Sequence, residues 1–385
     1  MICVCLDSFK PDYLEFAPNI RKIAESSKSG ALETIIGYTG ISASFFTGYY
    51  PEKHGVFGMF NCSLNSNTCG PIAASTAIGW ALFHNIRNVV KKDHFFVKPH
   101  RIPRIVRQHG NLSVTKYWSE SGVLNVPTLF DWLRDAGLNV AVSDWPIRAW
   151  GNKCAVTIDR SVEKQLKWLR GVKAEFKYLH LWELDTIAHK HGTRSHQVME
   201  CVKGYDNIIS VLMEMDSDIV IWSDHGMIDV AGIIDVESIL RSLKLSLGRD
   251  LVYFIDSTSC RIWAKNDEVE RSCRQKLSEV KNGKVLSQDE IAGFRLGKNM
   301  SDVFFLADPG YLLLPNYFQG AHPVKAMHGY VPAHPDQKGF YIVSRLKGRE
   351  DAHIVDIAPT INDLFDLKKK EVHGRSLMRE RQKGR

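Results

Sequence analysis

No stretch of this 385-residue chain approaches the roughly 20 consecutive apolar residues that a membrane-crossing helix needs. Internal repeats and low-complexity tracts are also missing, which sets aside solenoid arrays and linker-like polymers. The eight cysteines, at 3, 5, 62, 69, 154, 201, 260 and 273, never form a Cys-x-x-Cys pair, so neither a zinc ribbon nor a thioredoxin-like redox motif is written here. No signal peptide is expected. The chain enters Met1-Ile2-Cys3-Val4-Cys5-Leu6 as if entering a core strand, with Cys3 and Cys5 as small buried hydrophobes. The expectation is a cytoplasmic, reduced protein.

What is present is ordinary globular material: 44% hydrophobic and 24% charged residues. The length accommodates one large domain with a smaller one inserted. A net charge of +7, partly concentrated in Lys368-Lys369-Lys370 and the tail 379–385, favours anionic substrates, phosphates included. Such runs are most often solvated surface, and no sequence-specific nucleic-acid partner is expected. Nothing in the sequence sets the oligomeric state.

Along the chain, strands and helices alternate. Residues 2–6 read as a strand closed by Asp7, and 17–25 as a helix stopped by Gly30, followed by a strand over 31–36. Gly37-Tyr38-Thr39-Gly40-Ile41-Ser42 is a glycine-flanked turn carrying hydroxyls into a short helix. Thr128–Gly137 is an amphipathic helix, 139–143 a strand, 161–171 a helix, 176–182 a strand, 196–215 a long helix and 218–223 another strand. This alternation predicts an α/β fold: a mostly parallel central sheet with helices on both faces. Between 232 and 320 the strands crowd together, which predicts an inserted α+β cap, leaving 1–231 and 321–385 as the core. Residues 56–125 have poor periodicity and read as an irregular insertion or lid within the core. The apolar and basic segments Thr76–Ile86 and Arg87–Arg107 could also lie on a lipid surface.

Ile219-Val220-Ile221-Trp222-Ser223-Asp224-His225-Gly226-Met227 is an apolar run ending in a carboxylate, an imidazole and a glycine. In an open α/β sheet, ligands bind beyond the carboxyl ends of such strands. Asp224 and His225 can reach one metal only if the chain turns, a turn that Gly226 eases; the competing reading is a helix cap. Asp185 and His189, at i and i+4, share a face of a helical turn and can meet one metal, or else are an N-cap and a surface histidine. With Asp7 and His328 the inventory becomes three carboxylates and three imidazoles, enough for two divalent metals, and the N/O mix suits zinc, manganese or iron better than calcium.

These residues resemble the alkaline phosphatase superfamily, and within it the type I phosphodiesterase/nucleotide pyrophosphatase branch. The matching motifs are Asp7, Thr47-Gly48-Tyr49-Tyr50-Pro51-Glu52-Lys53-His54-Gly55, Asp185-x-x-x-His189-x-x-Gly192, Ser223-Asp224-His225-Gly226-Met227 and His328-Gly329, in the family's order. Val355–Ile361 and Gly374-Arg375-Ser376-Leu377 look like its closing helix and turn. The resemblance implies an alkaline phosphatase-like fold and two divalent ions, zinc before manganese. Asp7, Asp224 and His225 would hold one ion with the nucleophile; Asp185, His189 and His328 would hold the other. The family's nucleophile position falls on Tyr38 here. Thr39 is the nearest competent hydroxyl, as nucleophile and metal ligand, with Ser42 as the fallback. The sulfatase pattern, a Cys or Ser followed by Pro-x-Arg, is absent from this turn.

The implied reaction is attack of Thr39 on phosphorus, giving a phosphothreonyl ester that water cleaves. No basic residue adjoins Thr39, which favours a diester over a monoester. The substrate class is a small phosphoester: a nucleotide, a nucleotide sugar or a lipid-linked phosphate. The competing readings are a phosphomonoesterase, a phosphotransferase or mutase of the same superfamily, and a metal-binding protein without catalysis. His322, His191 and Glu183 read as solvent-facing or supporting residues.

Overall fold

The computed structural model describes residues 1–58, 60–62, 101–112, 124–143, 154–157, 161–215, 218–297 and 300–379. The chain divides into two compact units, one of residues 1–57, 116–229 and 331–385, the other of 58–115 and 230–330.

The first unit is built on one sheet with strand order Gly348–Arg349, Lys28–Glu33, Gly339–Val343, Ile219–Trp222, Ile2–Leu6, Phe176–Leu181, Val140–Ser143, Cys154–Thr157. Ile2–Leu6 lies in the middle, parallel to both Phe176–Leu181 and Ile219–Trp222. All five of its residues are buried, as are all four of Ile219–Trp222. Strands covered on both faces need apolar side chains on both, so they read as continuous runs without alternation. Gly339–Val343 enters antiparallel between Ile219–Trp222 and Lys28–Glu33. The mostly parallel α/β architecture is the one that the alternating pattern predicts. Among the described residues, no helix is long and apolar enough to cross a membrane.

One strand sits three residues earlier than its expected position. The first long helix ends at Ser26 and the next strand is Lys28–Glu33, so Gly30 lies within that strand and stops no helix. Its lack of a side chain serves a close approach instead: a Cβ there would stand 2.0 Å from the Glu350 carbonyl oxygen.

The turn carrying Thr39 leads into the helix Ile41–Thr47, which is buried along most of its length. Phe45 stacks on Trp222, ring centroids 3.6 Å apart and planes within 11°. Phe46 packs on Phe130 and Tyr178 at 4.6 and 5.2 Å. Gly48 ends this helix at φ +70, and Pro51–His54 forms a short second one that Gly55 closes at φ +82. Glycine adopts this left-handed geometry without the Cβ penalty. His54 is fully buried, and burial pulls its imidazole down to about 3, with His373 adding to the shift. Its Nδ1 accepts the Val56 amide at 3.1 Å, so Nε2–H donates to Ser44 Oγ at 2.9 Å. The segment Thr47–Gly55 is therefore scaffolding for the Thr39 helix.

The second unit carries an antiparallel sheet in the order Leu251–Ile255, Ser259–Ala264, Val303–Ala307, Gly283–Val285, with the helices Val236–Ser242 and Asp267–Ser278. It also contains the pair Phe60–Cys62 and Gly110–Leu112 and the helix Arg104–Gln108. Residues 58–115 thus group with 230–330, whereas the periodicity assigned 56–125 to the core and 232–320 alone to the cap. Long-range contacts account for the difference. The Arg101 guanidinium donates to the Phe318 carbonyl, and a Cβ on Gly248 would stand 2.2 Å from Ile105 Cγ1. Thr76–Ile86 and most of Arg87–Arg107, where a lipid-facing or lid role was expected, lie outside the described residues.

Phe45→Ala removes the ring that binds the Thr39 helix to the sheet and leaves a cavity, and is expected to cost about 3–5 kcal/mol in chemical denaturation. Ile233→Ala, at a position 52% exposed, is expected to stay within about 0.5 kcal/mol of the unchanged protein.

Candidate metal centre

Ile2–Leu6 and Ile219–Trp222 run parallel with Cys5 opposite Trp222, so Asp7 and the pair Asp224-His225 emerge side by side from adjacent carboxyl ends. No helix follows Asp224; the next element is the short strand Ile228–Asp229, which removes the helix-cap reading. Instead Asp224 Oδ1 accepts two amides, from Ser8 at 3.1 Å and His225 at 3.0 Å. Ser8 adopts φ +65 to place its N–H there, an uncommon geometry for a residue with a Cβ, directly beside a candidate ligand.

Gly226 has a role other than the expected one. Its φ is not positive, so left-handed freedom is not what this position needs. A Cβ would stand 2.1 Å from the Asp336 carbonyl oxygen, and the Gly226 amide donates to the Gln337 carbonyl at 2.8 Å. Asp336 in turn accepts the buried Lys10 ammonium at 2.7 Å, tying the loop behind His225 to the segment after Asp7.

Asp185 lies in the first turn of the helix Glu183–His191, whose N-cap is Trp182, so Asp185 is not the cap. One turn on, His189 places Nε2 3.3 Å from Asp185 Oδ1, both side chains being about one-fifth exposed. One ligand atom each from Asp7, Asp185 and His225 lie within 4.8 Å of one another. His225 Nε2 is 3.2 Å from Asp224 Oδ2 and 3.6 Å from Asp7 Oδ1.

The electrostatics of this cluster are set by burial and like charge. The Asp7 carboxyl is pushed well above the usual carboxylate range by burial, then by Asp224 and Asp185. Burial pulls the His225 imidazole down, but Asp224, Asp7 and Asp185 outweigh it and hold it above its ordinary value. His225 Nδ1 lies 2.8 Å from the Gly226 carbonyl, to which it can only donate, and Nε2 faces the carboxylates. A neutral ring with this tautomer presents its lone pair to the cluster, as a metal-bound histidine does. Asp7 Oδ1 is buried without a hydrogen bond from any described residue. Carboxylates gathered around one imidazole nitrogen, with one oxygen lacking a hydrogen bond from any described residue, fit a divalent cation.

Thr39 is half-buried in the turn between Gly37, at φ +78, and Gly40, the N-cap of Ile41–Thr47. A Cβ on Gly40 would stand 2.4 Å from the Val56 carbonyl oxygen, so the backbone of this turn is tightly set. Ser42 is half-buried in the first turn of the helix. His328 belongs to the second unit, buried directly after the strand Ala326–Met327. His322 and His191 are exposed, and Glu183 accepts the Tyr205 hydroxyl at 3.1 Å. His180 is a site residue that no motif or spacing marks out. Its Nε2 lies 3.0 Å from Asp7 Oδ2, and the available signal was its place on a strand neighbouring Ile2–Leu6.

A sequence model described as type I phosphodiesterase / nucleotide pyrophosphatase matches residues 1–331. Venom phosphodiesterases 2 and 1 of Crotalus adamanteus are each 23% identical to the chain over 252 residues, 60% of this chain and 27% and 26% of theirs. The chain thus spans about a quarter of the length of these curated relatives. Murine ectonucleotide pyrophosphatase/phosphodiesterase 5 superposes with a TM-score of 0.72 at 16% identity, covering 97% of both chains. An inactive threonine-to-alanine variant of that murine protein, in complex with AMP, gives 0.69 at 16% identity, over 97% of this chain and 96% of that one. These structural neighbours share the fold.

The raised Asp7 carboxyl has a consequence for stability in metal-free protein. Its folded pKa lies above the unfolded value of about 3.9, so the folded state binds the extra proton. That contribution is complete below about pH 3.9 and is lost as pH rises through the folded value. Asp7→Asn removes it, so in chelator-treated protein the variant is expected to gain on the unchanged chain as pH rises from about 4 to 8. The gain is about 1.4 kcal/mol for each pH unit over which only the folded state keeps the proton. Denaturation at a series of pH values measures the gap; a gap independent of pH would contradict the electrostatic reading.

Proposed function

Because the chain belongs to the type I phosphodiesterase/nucleotide pyrophosphatase family, we propose that it is a metal-dependent phosphodiester hydrolase with a threonine nucleophile. The observation that carries the proposal is the convergence of Asp7, Asp185 and His225 ligand atoms within 4.8 Å at adjoining strand ends, with Asp224 3.2 Å from His225. Two cations, zinc or manganese by the donor mix, would supply Lewis-acid stabilisation of phosphoryl oxygens. Asp7, Asp224 and His225 are the ligands proposed for one; Asp185, His189 and, by the family resemblance, His328 for the other.

In the proposed reaction the Thr39 hydroxyl gives up its proton to solvent and attacks phosphorus in line with the leaving oxygen. The bond to that oxygen breaks as the phosphothreonyl ester forms, and water then cleaves the ester and restores the hydroxyl. The protein's contribution is positional: the stacked Phe45 and the buried His54 fix the helix behind Thr39, and the sheet fixes the carboxylates. Support for the threonine comes from the murine neighbour, where a threonine-to-alanine variant is inactive and binds AMP. The same complex favours a nucleotide-class substrate here, such as a nucleotide sugar or a dinucleotide with a pyrophosphate link. The absence of a basic residue beside Thr39 favours a diester over a monoester.

Turnover of bis-p-nitrophenyl phosphate with added zinc or manganese is expected to exceed that of p-nitrophenyl phosphate. Thr39→Ala is expected to lower it by at least about 1,000-fold, as loss of a nucleophile does, while Ser42→Ala stays active. An active Thr39→Ala beside an inactive Ser42→Ala would move the nucleophile to Ser42. Failure to turn over any phosphoester would end the hydrolase reading.

A further inference from the structure

His180 lies on Phe176–Leu181 opposite Cys5, and Asp7 is two residues beyond Cys5, so the pleat sends both side chains to one face of the sheet. The residue is 9% exposed and its Nε2 stands 3.0 Å from Asp7 Oδ2. Toward the ionised carboxylate that Asp7 presents as a metal ligand, His180 Nε2 can only donate. Its Nδ1 is buried without a hydrogen bond from any described residue.

The two oxygens of Asp7 are thereby divided. Oδ2 is taken by His180, while Oδ1 lies 3.6 Å from His225 Nε2 and accepts no hydrogen bond from any described residue. We propose that His180 is a positioning residue that holds Asp7 to one-oxygen ligation and so tunes the Asp7, Asp224 and His225 centre to a zinc-class cation. Calcium favours six to eight oxygens, often with both oxygens of a carboxylate; zinc takes about four N and O donors in tight geometry. Holding Oδ2 removes the second oxygen that a larger, harder ion would use. The inference rests on reading Asp7 as a metal ligand.

The test uses the full chain, stripped with a chelator and titrated with zinc in competition with a chromophoric chelator. His180→Phe keeps an apolar ring of similar size and loses the donor; His180→Gln keeps a donor. His180→Phe is expected to weaken one zinc equivalent by about 10–100-fold and leave the other unchanged, as loss of a ligand's supporting hydrogen bond does. His180→Gln is expected to stay close to the unchanged protein, and calcium is expected to compete better in His180→Phe than in either. Unchanged zinc affinity in His180→Phe, or a loss in His180→Gln equal to that in His180→Phe, would overturn the proposal. Absence of zinc binding by the unaltered chain would instead overturn the reading of the metal centre itself.

Discussion

Asp7 and Asp224, at the carboxyl ends of two adjacent buried strands, and Asp185, on the helix that follows a third, are held around one imidazole, and much of the first unit keeps them there. Carboxylates in such a place repel one another and have lost their water, which is why the Asp7 proton is held so firmly. A folded protein tolerates that only if the cluster serves something, and a divalent cation removes both the repulsion and the unsatisfied oxygen. Reactivity and instability thus have one source. The groups that would bind a cation are also groups whose crowding costs the metal-free fold.

The support around the cluster is of three physical kinds. Backbone amides of Ser8 and His225 fix Asp224, with left-handed strain at Ser8 as part of the cost. The Lys10–Asp336 ion pair and the close seat of Gly226 lock the loop behind His225 to the segment after Asp7. The Phe45–Trp222 stack joins the helix behind Thr39 to the strand that ends in Asp224. The last of these links the proposed nucleophile to the proposed ligands without any polar contact. An error of packing there would be felt as an error of chemistry.

Much of this was legible in the chain. An apolar run ending in Ser223-Asp224-His225-Gly226 can be read because a strand buried on both faces is mostly apolar until it leaves the sheet. The i, i+4 spacing of Asp185 and His189 can be read because a helix imposes it, and the structure supplies that helix. Close approach was less legible. Gly30 and Gly226 looked like a helix stop and an eased turn, yet each is needed because a carbonyl from a distant segment lies against it. The grouping of 58–115 with 230–330 depends on contacts such as Arg101 with Phe318, which no local pattern encodes. His180 was missed for a related reason. A single imidazole on an apolar strand reads as core until the register sets it beside Asp7.

The central claim, that the strand-end carboxylates and His225 form a metal site, is tested most directly by anomalous diffraction at the zinc edge from crystals grown with zinc. The account predicts a peak within about 2.0–2.2 Å of both Asp7 Oδ1 and His225 Nε2, the usual distances for zinc with oxygen and nitrogen donors. A fully ordered cluster with no anomalous peak, or with zinc bound only at surface histidines, would contradict it.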